Sequence, residues 1–280
     1  MRRDPELARA EFAVTTGETA LRRMPEGTAL VSFAAPSCLL PGTVMENIYF
    51  LNGRVDEVAL CFFEYRTCLD YTETDVPPEL AGLSLSFHVH LPFDLPWPAR
   101  SGVQYTASET ADIALAVCRK AATFAPGLAV LHPPQGSPAL KRQLLRQFAQ
   151  AWQRASDIPL LLENVFCCDL VELGDDFLRD HGLGLCLDVA HLLIYDQSRL
   201  LTSDLPETTG LVHWSAPGEQ DEHLPLTKLS SAQYATATEL MARFVNNPVH
   251  LAEVFHWPGV EASLSVLKRL VAAETRGIGI

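Results

Sequence analysis

The residues that could do chemistry in this sequence stand at the ends of short apolar runs, and almost all are His, Asp or Glu. Six successive runs end in such a residue, in the order His90, His132, Glu163, Asp188, His213 and Glu253. Each has an apolar residue two positions earlier, or in one case another His, so both side chains lie on one face of a pleated strand. Ionisable groups that converge there are costly to bury unpaired, and a divalent cation is the usual solution. The pattern therefore predicts a metal site.

Two further pieces enlarge this set. His191 follows Asp188 at a spacing that lets both side chains reach one point where strand becomes loop. Asp221 and His223 stand two apart in a later loop, a pattern that a solvated loop explains about as well. The candidates then number nine metal-binding side chains, which is more than one ion can use. A lone His at a strand end is more often a structural residue, so the inference depends on the whole set.

The elements that must position these residues alternate along the chain. Apolar runs typical of buried parallel strands occupy residues 29–34, 58–63, 83–89, 128–131, 159–162, 183–187, 211–212 and 249–254. Helical spacing of apolar residues marks residues 108–124, 139–156, 230–244 and 260–275. Eight strand-and-crossover units of about 35 residues predict an α/β protein with a single (β/α)8 TIM barrel over residues 1–280. Residues 1–27 are expected to add an N-terminal helical extension, and the metal site is expected at the C-terminal face of the barrel.

Composition limits the function. The chain has 21 Lys and Arg against 34 Asp and Glu, a formal charge of −13, which argues against nucleic acid as a partner. Hydrophobic residues make up 48% of the chain, as expected of a globular protein with a sizeable core. No run of eighteen apolar residues occurs and the charged N-terminus lacks an apolar segment, so we expect no membrane partner and a cytoplasmic location. The seven Cys form no C-x-x-C and are interpreted as reduced core residues.

The nine-residue set resembles the xylose isomerase-like barrel superfamily, which includes the AP endonuclease family 2 enzymes (endonuclease IV) and many sugar isomerases. The motifs that carry the resemblance are HLPF, LHPP, LLLEN, LDVAH, DEH and the last-strand Glu. In endonuclease IV nine residues hold three zinc ions, and the resemblance implies up to three divalent ions here, zinc or alternatively manganese. The implied sites are His90, His132 and Glu163; Glu163, Asp188, His213 and Glu253; and His191, Asp221 and His223. Single-metal isomerases share the second of these sets, so it does not discriminate alone.

The loops differ from those of endonuclease IV. They lack its basic DNA-gripping segments and are aromatic and Pro-rich instead, with Phe93 and Phe255 among their residues. Apolar walls suit a bulky organic ligand. The segments PSCLLPGTVMENIYFL, SFHVHLPFDLPW and LVHWSAPGEQDEHLPL look like those of the cobamide-remodelling phosphodiesterases of the same superfamily. That resemblance implies a metal-dependent hydrolase that acts on a small-molecule phosphodiester, the lower nucleotide loop of a cobamide.

Residue roles follow from this interpretation. Glu163 and Glu253 are the candidate catalytic residues, since their carboxylates position the metals. The candidate substrate-binding residues are His88, Trp97, Trp214 and Trp257, although His88 lies one layer deeper than His90 and a structural role is favoured for it. Glu64, Arg66 and Asp70 follow the second strand and are explained equally by a pocket wall or by surface salt bridges.

Two other functions stay open on the sequence alone. One is a sugar or sugar-phosphate isomerase or epimerase with a single Mn²⁺ or Mg²⁺, in which Glu163 and Glu253 relay protons. The other is a non-catalytic corrinoid or metabolite binder. A mononuclear enzyme has little need of His132 and His223, so these two histidines separate it from the phosphodiesterase. The sequence leaves open the metal, the ester bond cleaved and the oligomeric state.

Overall fold

Eight parallel strands close on themselves, each neighbour in the barrel following the previous one along the chain. The computed structural model describes residues 31–98, 105–166, 168–219, 222–247 and 249–277. Its strands are β1 (Ser32–Pro36), β2 (Glu57–Cys61), β3 (Ser86–His90), β4 (Ala129–Leu131), β5 (Leu160–Glu163), β6 (Leu183–Asp188), β7 (Thr209–Trp214), β8 (Ala216–Pro217), β9 (His223–Leu224) and β10 (Val249–Ala252). The barrel uses β1 to β7 and β10, while β8 and β9 form a separate antiparallel hairpin. The predicted (β/α)8 barrel is confirmed.

Helices follow most of the barrel strands. They are α1 (Val44–Leu51), α2 (Tyr65–Leu69), α3 (Ala107–Lys120), α4 (Pro138–Ala155), α5 (Phe177–Asp180), α6 (Val189–Ile194), α7 (Ser231–Phe244) and α8 (Trp257–Gly277). The four long helices, α3, α4, α7 and α8, are those that the spacing predicts. The seventh strand is longer than its predicted two residues, because Thr209, Gly210, His213 and Trp214 also belong to it.

The apolar side chains form two separate cores. The larger one lies between the strands and the helices and contains Phe148, Trp152 and Trp214. The smaller one fills the barrel interior and includes Val130, Leu161, Cys186, Leu211 and Leu251. Side chains alternate across a strand. The residue two positions after one of these interior residues therefore also faces inward, at the C-terminal mouth of the barrel.

Glycine makes room for one interior side chain. A Cβ atom at Gly184 would lie 2.4 Å from Leu161 Cδ2, and one at Gly210 would lie 3.0 Å from the same atom. Leu161 therefore fills the space that two neighbouring strands leave open. This packing closes the barrel below the mouth on the side of β5, β6 and β7.

The remaining expectations concern the cysteines, the N-terminal extension and membrane-spanning helices. The six described cysteines are free thiols and five are buried, in line with the expected reduced core residues. The predicted extension at residues 1–27 and Cys167 lie outside the described residues. Within the described part of the chain, no helix is both long and apolar enough to cross a membrane.

Candidate metal centre

The ends of six barrel strands bring the predicted ring of ionisable side chains to one mouth. His90, Glu163 and Asp188 are the last residues of β3, β5 and β6, while His132 and Glu253 directly follow β4 and β10. His213 of β7 pairs in register with Asp188 on one side and with Leu251 on the other. Elsewhere the register is offset by two positions, so that His90 pairs with Val130 and Glu163 with Cys186. An offset of two keeps every side chain on the inward face, as the sequence pattern predicts.

Three overlapping groups of these side chains have ligand atoms within 4.8 Å of one another. The groups are His90, Glu163 and His213; Glu163, Asp188, His213 and Glu253; and Asp188, His191 and His223. We call them the first, central and third clusters. Imidazole and carboxylate are the donors that zinc and related transition metals use in proteins. Candidate metal clusters of His, Glu and Asp therefore exist at the mouth.

Glu163 is the residue around which the first cluster is built. Its Oε2 lies 3.0 Å from His90 Nε2 and 3.2 Å from His132 Nε2. Its other oxygen, Oε1, lies 3.3 Å from His191 Nδ1. The carboxylate thus contacts histidines on two sides, which is the arrangement required of a bridging ligand. His132 reaches the same carboxylate but lies outside the tight first cluster.

The third cluster depends on the β8–β9 hairpin. His223 is the first residue of β9, and its Nδ1 is hydrogen-bonded to Ser215 Oγ at 2.9 Å. The same nitrogen lies 3.5 Å from Glu253 Oε2, and the His223 ring is 5.3 Å from the ring of His191. Asp221, the third predicted ligand here, lies outside the described residues. The structure therefore brings His191 and His223 together and does not describe their expected partner.

Charges at the mouth are strongly coupled. Burial disfavours ionisation of Glu163, but His132 and His213 outweigh burial and hold the pKa of this carboxyl well below its ordinary value. Burial raises the pKa of Asp188 to about 7, against the opposing effect of the neighbouring histidines. Burial lowers the pKa of His191, but Asp188 and Glu163 reverse this and raise it to about 10. Protons thus neutralise a buried acidic cluster in the metal-free protein, and binding a cation requires their release.

The orientation of the central cluster fits a cation better than a hydrogen-bond network. Among the residues that the structure describes, Asp188 Oδ2, Glu253 Oε2 and both ring nitrogens of His213 are buried without a hydrogen-bond partner. His213 Nδ1 lies only 2.9 Å from Glu253 Oε2, yet the angles do not make a hydrogen bond. Buried polar groups are normally satisfied. Unsatisfied atoms on three residues of one cluster fit a bound divalent ion.

Asn164 supports the ligands from behind and was missed by sequence reasoning. Its Oδ1 accepts from the backbone N–H of Asp188 at 2.7 Å, and its Nδ2 donates to the Asp188 carbonyl and to Gln197 Oε1. His191 Nδ1 donates to the Asn164 carbonyl oxygen at 2.9 Å. Metal-ligating histidines characteristically donate their second ring N–H to such a carbonyl. The only sequence signal for Asn164 is its position beside Glu163.

The structure buries three of the four expected substrate-binding side chains. Trp97 is 3% exposed and packs on Phe148, while Trp214 is fully buried and donates from its indole N–H to His250 Nδ1. His88 is also fully buried and pairs through Nδ1 with Glu57 at the base of the barrel. All three expose almost no surface, and their role in substrate binding stays a prediction. Trp214 follows the inward-facing His213 directly, so the pleat turns it outward.

The remaining substrate-binding candidate, Trp257, lies at the start of α8. Its ring contacts Phe50 at 5.2 Å between centroids, and Trp257 lines a groove together with Arg54, Glu261 and Lys268. Its role in substrate binding stays a prediction. Glu64 and Arg66 are exposed and bind locally, to Thr67 and Tyr65 respectively. Asp70 is also exposed.

The exposed aromatic residues at the mouth are phenylalanines. Phe63, Phe93 and Phe255 follow β2, β3 and β10 and are 40%, 50% and 41% exposed. Phe63 lies 6.2 Å from each of the other two rings. Phe63 was missed, although its position two residues after Cys61 was visible in the sequence.

Comparison with known proteins finds similar folds among solved structures. No family model matches the sequence, and no curated protein matches it. A crystal structure of a D-tagatose 3-epimerase-like protein is similar with a TM-score of 0.71 at 17% identity, over 89% of this chain and 100% of that one. Endonuclease IV from Thermus thermophilus gives a TM-score of 0.64 at 17% identity, over 86% and 99% of the two chains.

A third similar structure is another protein from Thermus thermophilus, whose crystal was soaked with ZnCl2. Its TM-score is 0.58 at 21% identity, over 87% of this chain and 98% of that one. A xylose isomerase domain protein is also among the similar structures. The chain therefore has the TIM-barrel fold that these solved structures share.

Proposed function

We propose that this protein is a metal-dependent phosphodiesterase that hydrolyses the lower nucleotide loop of cobamides. The observation that carries the proposal is the extension of the central cluster on both sides, by His90 and His132 and by His191 and His223. A reaction that needs one metal is served by the central cluster alone. Ligands for further ions suit a phosphodiester, whose attacking and leaving oxygens both carry charge.

The residues of the chain have separable tasks in this reaction. Glu163 belongs to both the first and the central cluster and would bridge the two sites, with His90, His132 and His213 around its Oε2 completing them. Asp188, Glu253, His191 and His223 would complete the remaining positions. Bound divalent ions supply an activated water and neutralise charge on the phosphodiester. Asn164 fixes the Asp188 backbone and the His191 ring, so the ligands are held before substrate arrives.

Charge and exposure at the mouth favour a small organic phosphodiester over nucleic acid. The formal charge of −13 opposes a polyanion, and the three exposed phenylalanines offer apolar contacts rather than phosphate ligands. A cobamide is a small phosphodiester whose nucleotide loop ends in a planar base, which such rings can contact. The partner proposed here is therefore a small molecule.

The test is incubation of purified protein with a cobamide in the presence of zinc or manganese. We expect a cobinamide-type product by chromatography and mass spectrometry, lost on chelation and restored by the metal. Folded protein that gives no product with either metal contradicts the proposal. Metal analysis of the same sample should give more than one ion per chain.

A single-metal sugar epimerase is the second candidate, and a specific observation favours it. The four side chains of the central cluster are all buried and complete a ligand set without any other residue. The epimerase-like neighbour in the comparison gives the fold precedent, at 17% identity. This candidate predicts one ion per chain and unchanged activity in His132→Ala and His223→Ala. The phosphodiesterase predicts that both substitutions lower activity and metal content.

A further inference from the structure

Phe63, Phe93 and Phe255 form one exposed apolar surface, which we call the aromatic patch. The rings come from loops after three different strands, and Phe63 lies between the other two at 6.2 Å from each. The interplanar angles are 51° and 70°, so Phe63 does not stack face to face with either of the other rings. Large aromatic side chains left 40% to 50% exposed together mark a binding surface rather than ordinary surface scatter.

The aromatic patch is continuous with the metal centre. The Phe255 ring lies 5.6 Å from the ring of His223, and Phe255 itself stands two residues after Glu253. From His223 the ring contacts continue to His191 and then to Tyr195, at 5.3 and 5.7 Å. A molecule whose charged group lies at the third cluster can therefore rest an attached group on the aromatic patch.

Charge at the aromatic patch determines what that attached group can be. Glu64 is exposed beside Phe63, and Asp94 follows Phe93 and accepts from the backbone N–H of Tyr65. The exposed Arg66 offsets one of these two carboxylates, and the balance beside the patch stays acidic, which disfavours a phosphate or carboxylate group. The occupant is thus neutral or weakly basic, and its flat face gains most from three tilted rings.

We propose that the aromatic patch binds a planar nitrogen heterocycle of the substrate while the metal clusters hold the phosphodiester. This subsite rests on the proposed function, in which the heterocycle is the base of the nucleotide loop. Phe63 is the central contact because it touches both other rings. Phe255 aligns the base with the metal centre because it contacts His223.

A benzimidazole nucleoside that lacks the phosphodiester tests the subsite without requiring catalysis. Its dissociation constant is measured by fluorescence titration against the wild-type protein and the variants Phe63→Ala, Phe63→Leu, Phe255→Ala and Tyr49→Ala. Tyr49 is the control, since it is an aromatic residue 49% exposed near the end of α1, which leads to the start of β2 and not to the mouth. We expect Phe63→Ala and Phe255→Ala to weaken binding about tenfold and Tyr49→Ala to leave it unchanged. Phe63→Leu keeps apolar volume, guards against a folding defect and should weaken binding nearly as much.

Several results overturn the subsite. They are no binding of the nucleoside to folded wild-type protein, equal affinity in wild type and both patch variants, and a loss confined to Tyr49→Ala. The proposed function fails separately. If patch-dependent nucleoside binding is found but no cobamide is cleaved, the subsite stands and the phosphodiesterase falls. If a cobamide is cleaved with an unchanged KM in Phe63→Ala and Phe255→Ala, the reverse holds.

Discussion

His213 and His250 are both fully buried, on adjacent strands, yet their environments displace their pKa values in opposite directions. Val212 pairs with His250 and His213 pairs with Leu251, so the two imidazoles project to opposite faces of the barrel wall. His250 faces outward beside the Trp214 indole, and burial lowers its pKa to about 4. Burial disfavours the charged form of His213 too. Interactions with Cys186, Glu253 and Glu163 outweigh burial and hold its pKa well above the ordinary value.

This difference shows that burial does not separate a structural histidine from a functional one. The outward face supplies apolar packing and a single neutral hydrogen bond, which keeps His250 uncharged. The inward face at the mouth supplies carboxylates that are themselves unsatisfied, so His213 belongs to a cluster that needs a cation, whether protons or a metal. The inward face should therefore govern metal content and activity, and the outward face should govern stability alone.

Glu163→Gln should produce the largest effect. The substitution keeps the shape of the side chain but removes the charge that His90 and His132 share. We expect cobamide cleavage to fall on the order of 10³-fold, because charge stabilisation at a buried site is lost. Metal content measured by mass spectrometry should fall with it. The control is Glu239→Gln on the exposed face of α7, which should change neither quantity; wild-type metal content in Glu163→Gln would contradict the bridging role.

His250→Gln tests the outward face through pH. An unfolded chain protonates its histidines near pH 6.5, whereas folded His250 resists protonation down to about pH 4. The contribution of a neutral His250 is therefore complete above pH 6.5 and is lost as the pH falls through 4, a loss of roughly 3 kcal/mol.

The measurement is urea unfolding of metal-free wild type and His250→Gln between pH 4 and 7. The variant should lose less stability with acid over this range than the wild type, and its metal content at pH 7 should be normal. Parallel pH profiles of the two proteins would show that His250 titrates normally in the folded state.

Much of the difference between the inward and outward faces could be predicted from particular residues. The six strand-end residues were found because side chains on a strand repeat every two positions, and the structure gathers all six at one mouth. The same period predicts that Trp214, next to His213, faces outward, and the structure buries it there against His250. Thr43 and Glu46 form the capping box of α1, a visible signal that marks a helix too short for periodicity to reveal.

Other features could not be predicted because they depend on contacts distant in sequence. Asn164 is oriented by Gln197, 33 residues later, and no local spacing indicates that pair. The aromatic patch joins loops after β2, β3 and β10, which only barrel closure brings together. The helices α2, α5 and α6 have four to six residues, too few for an amphipathic repeat.

Asn164→Ala tests a residue that supports the metal ligands and is not itself a ligand. It removes the acceptor for the Asp188 N–H and the donor for the Asp188 carbonyl, and leaves both groups buried. Because the ligands are then less well oriented, we expect zinc affinity to fall about 10- to 100-fold, measured by competition with a chromogenic chelator. Asn247→Ala, which removes a hydrogen bond to the Thr209 carbonyl away from the mouth, is the matched control. Equal zinc affinity in the two variants would place Asn164 outside the metal centre.

Thr106→Ala should have the smallest effect and sets the scale for a purely structural change. Thr106 caps α3 by accepting from the Glu109 N–H, and Glu109 in turn accepts from the Thr106 N–H. Loss of this cap should reduce the free energy of unfolding by about 1 kcal/mol. Metal content and the rate of cobamide cleavage should match the wild type, because α3 reaches the mouth only through the barrel wall. A drop in metal content comparable to that of Asn164→Ala would mean that general destabilisation removes metal from the clusters. The difference between the inward and outward faces would then not explain metal content.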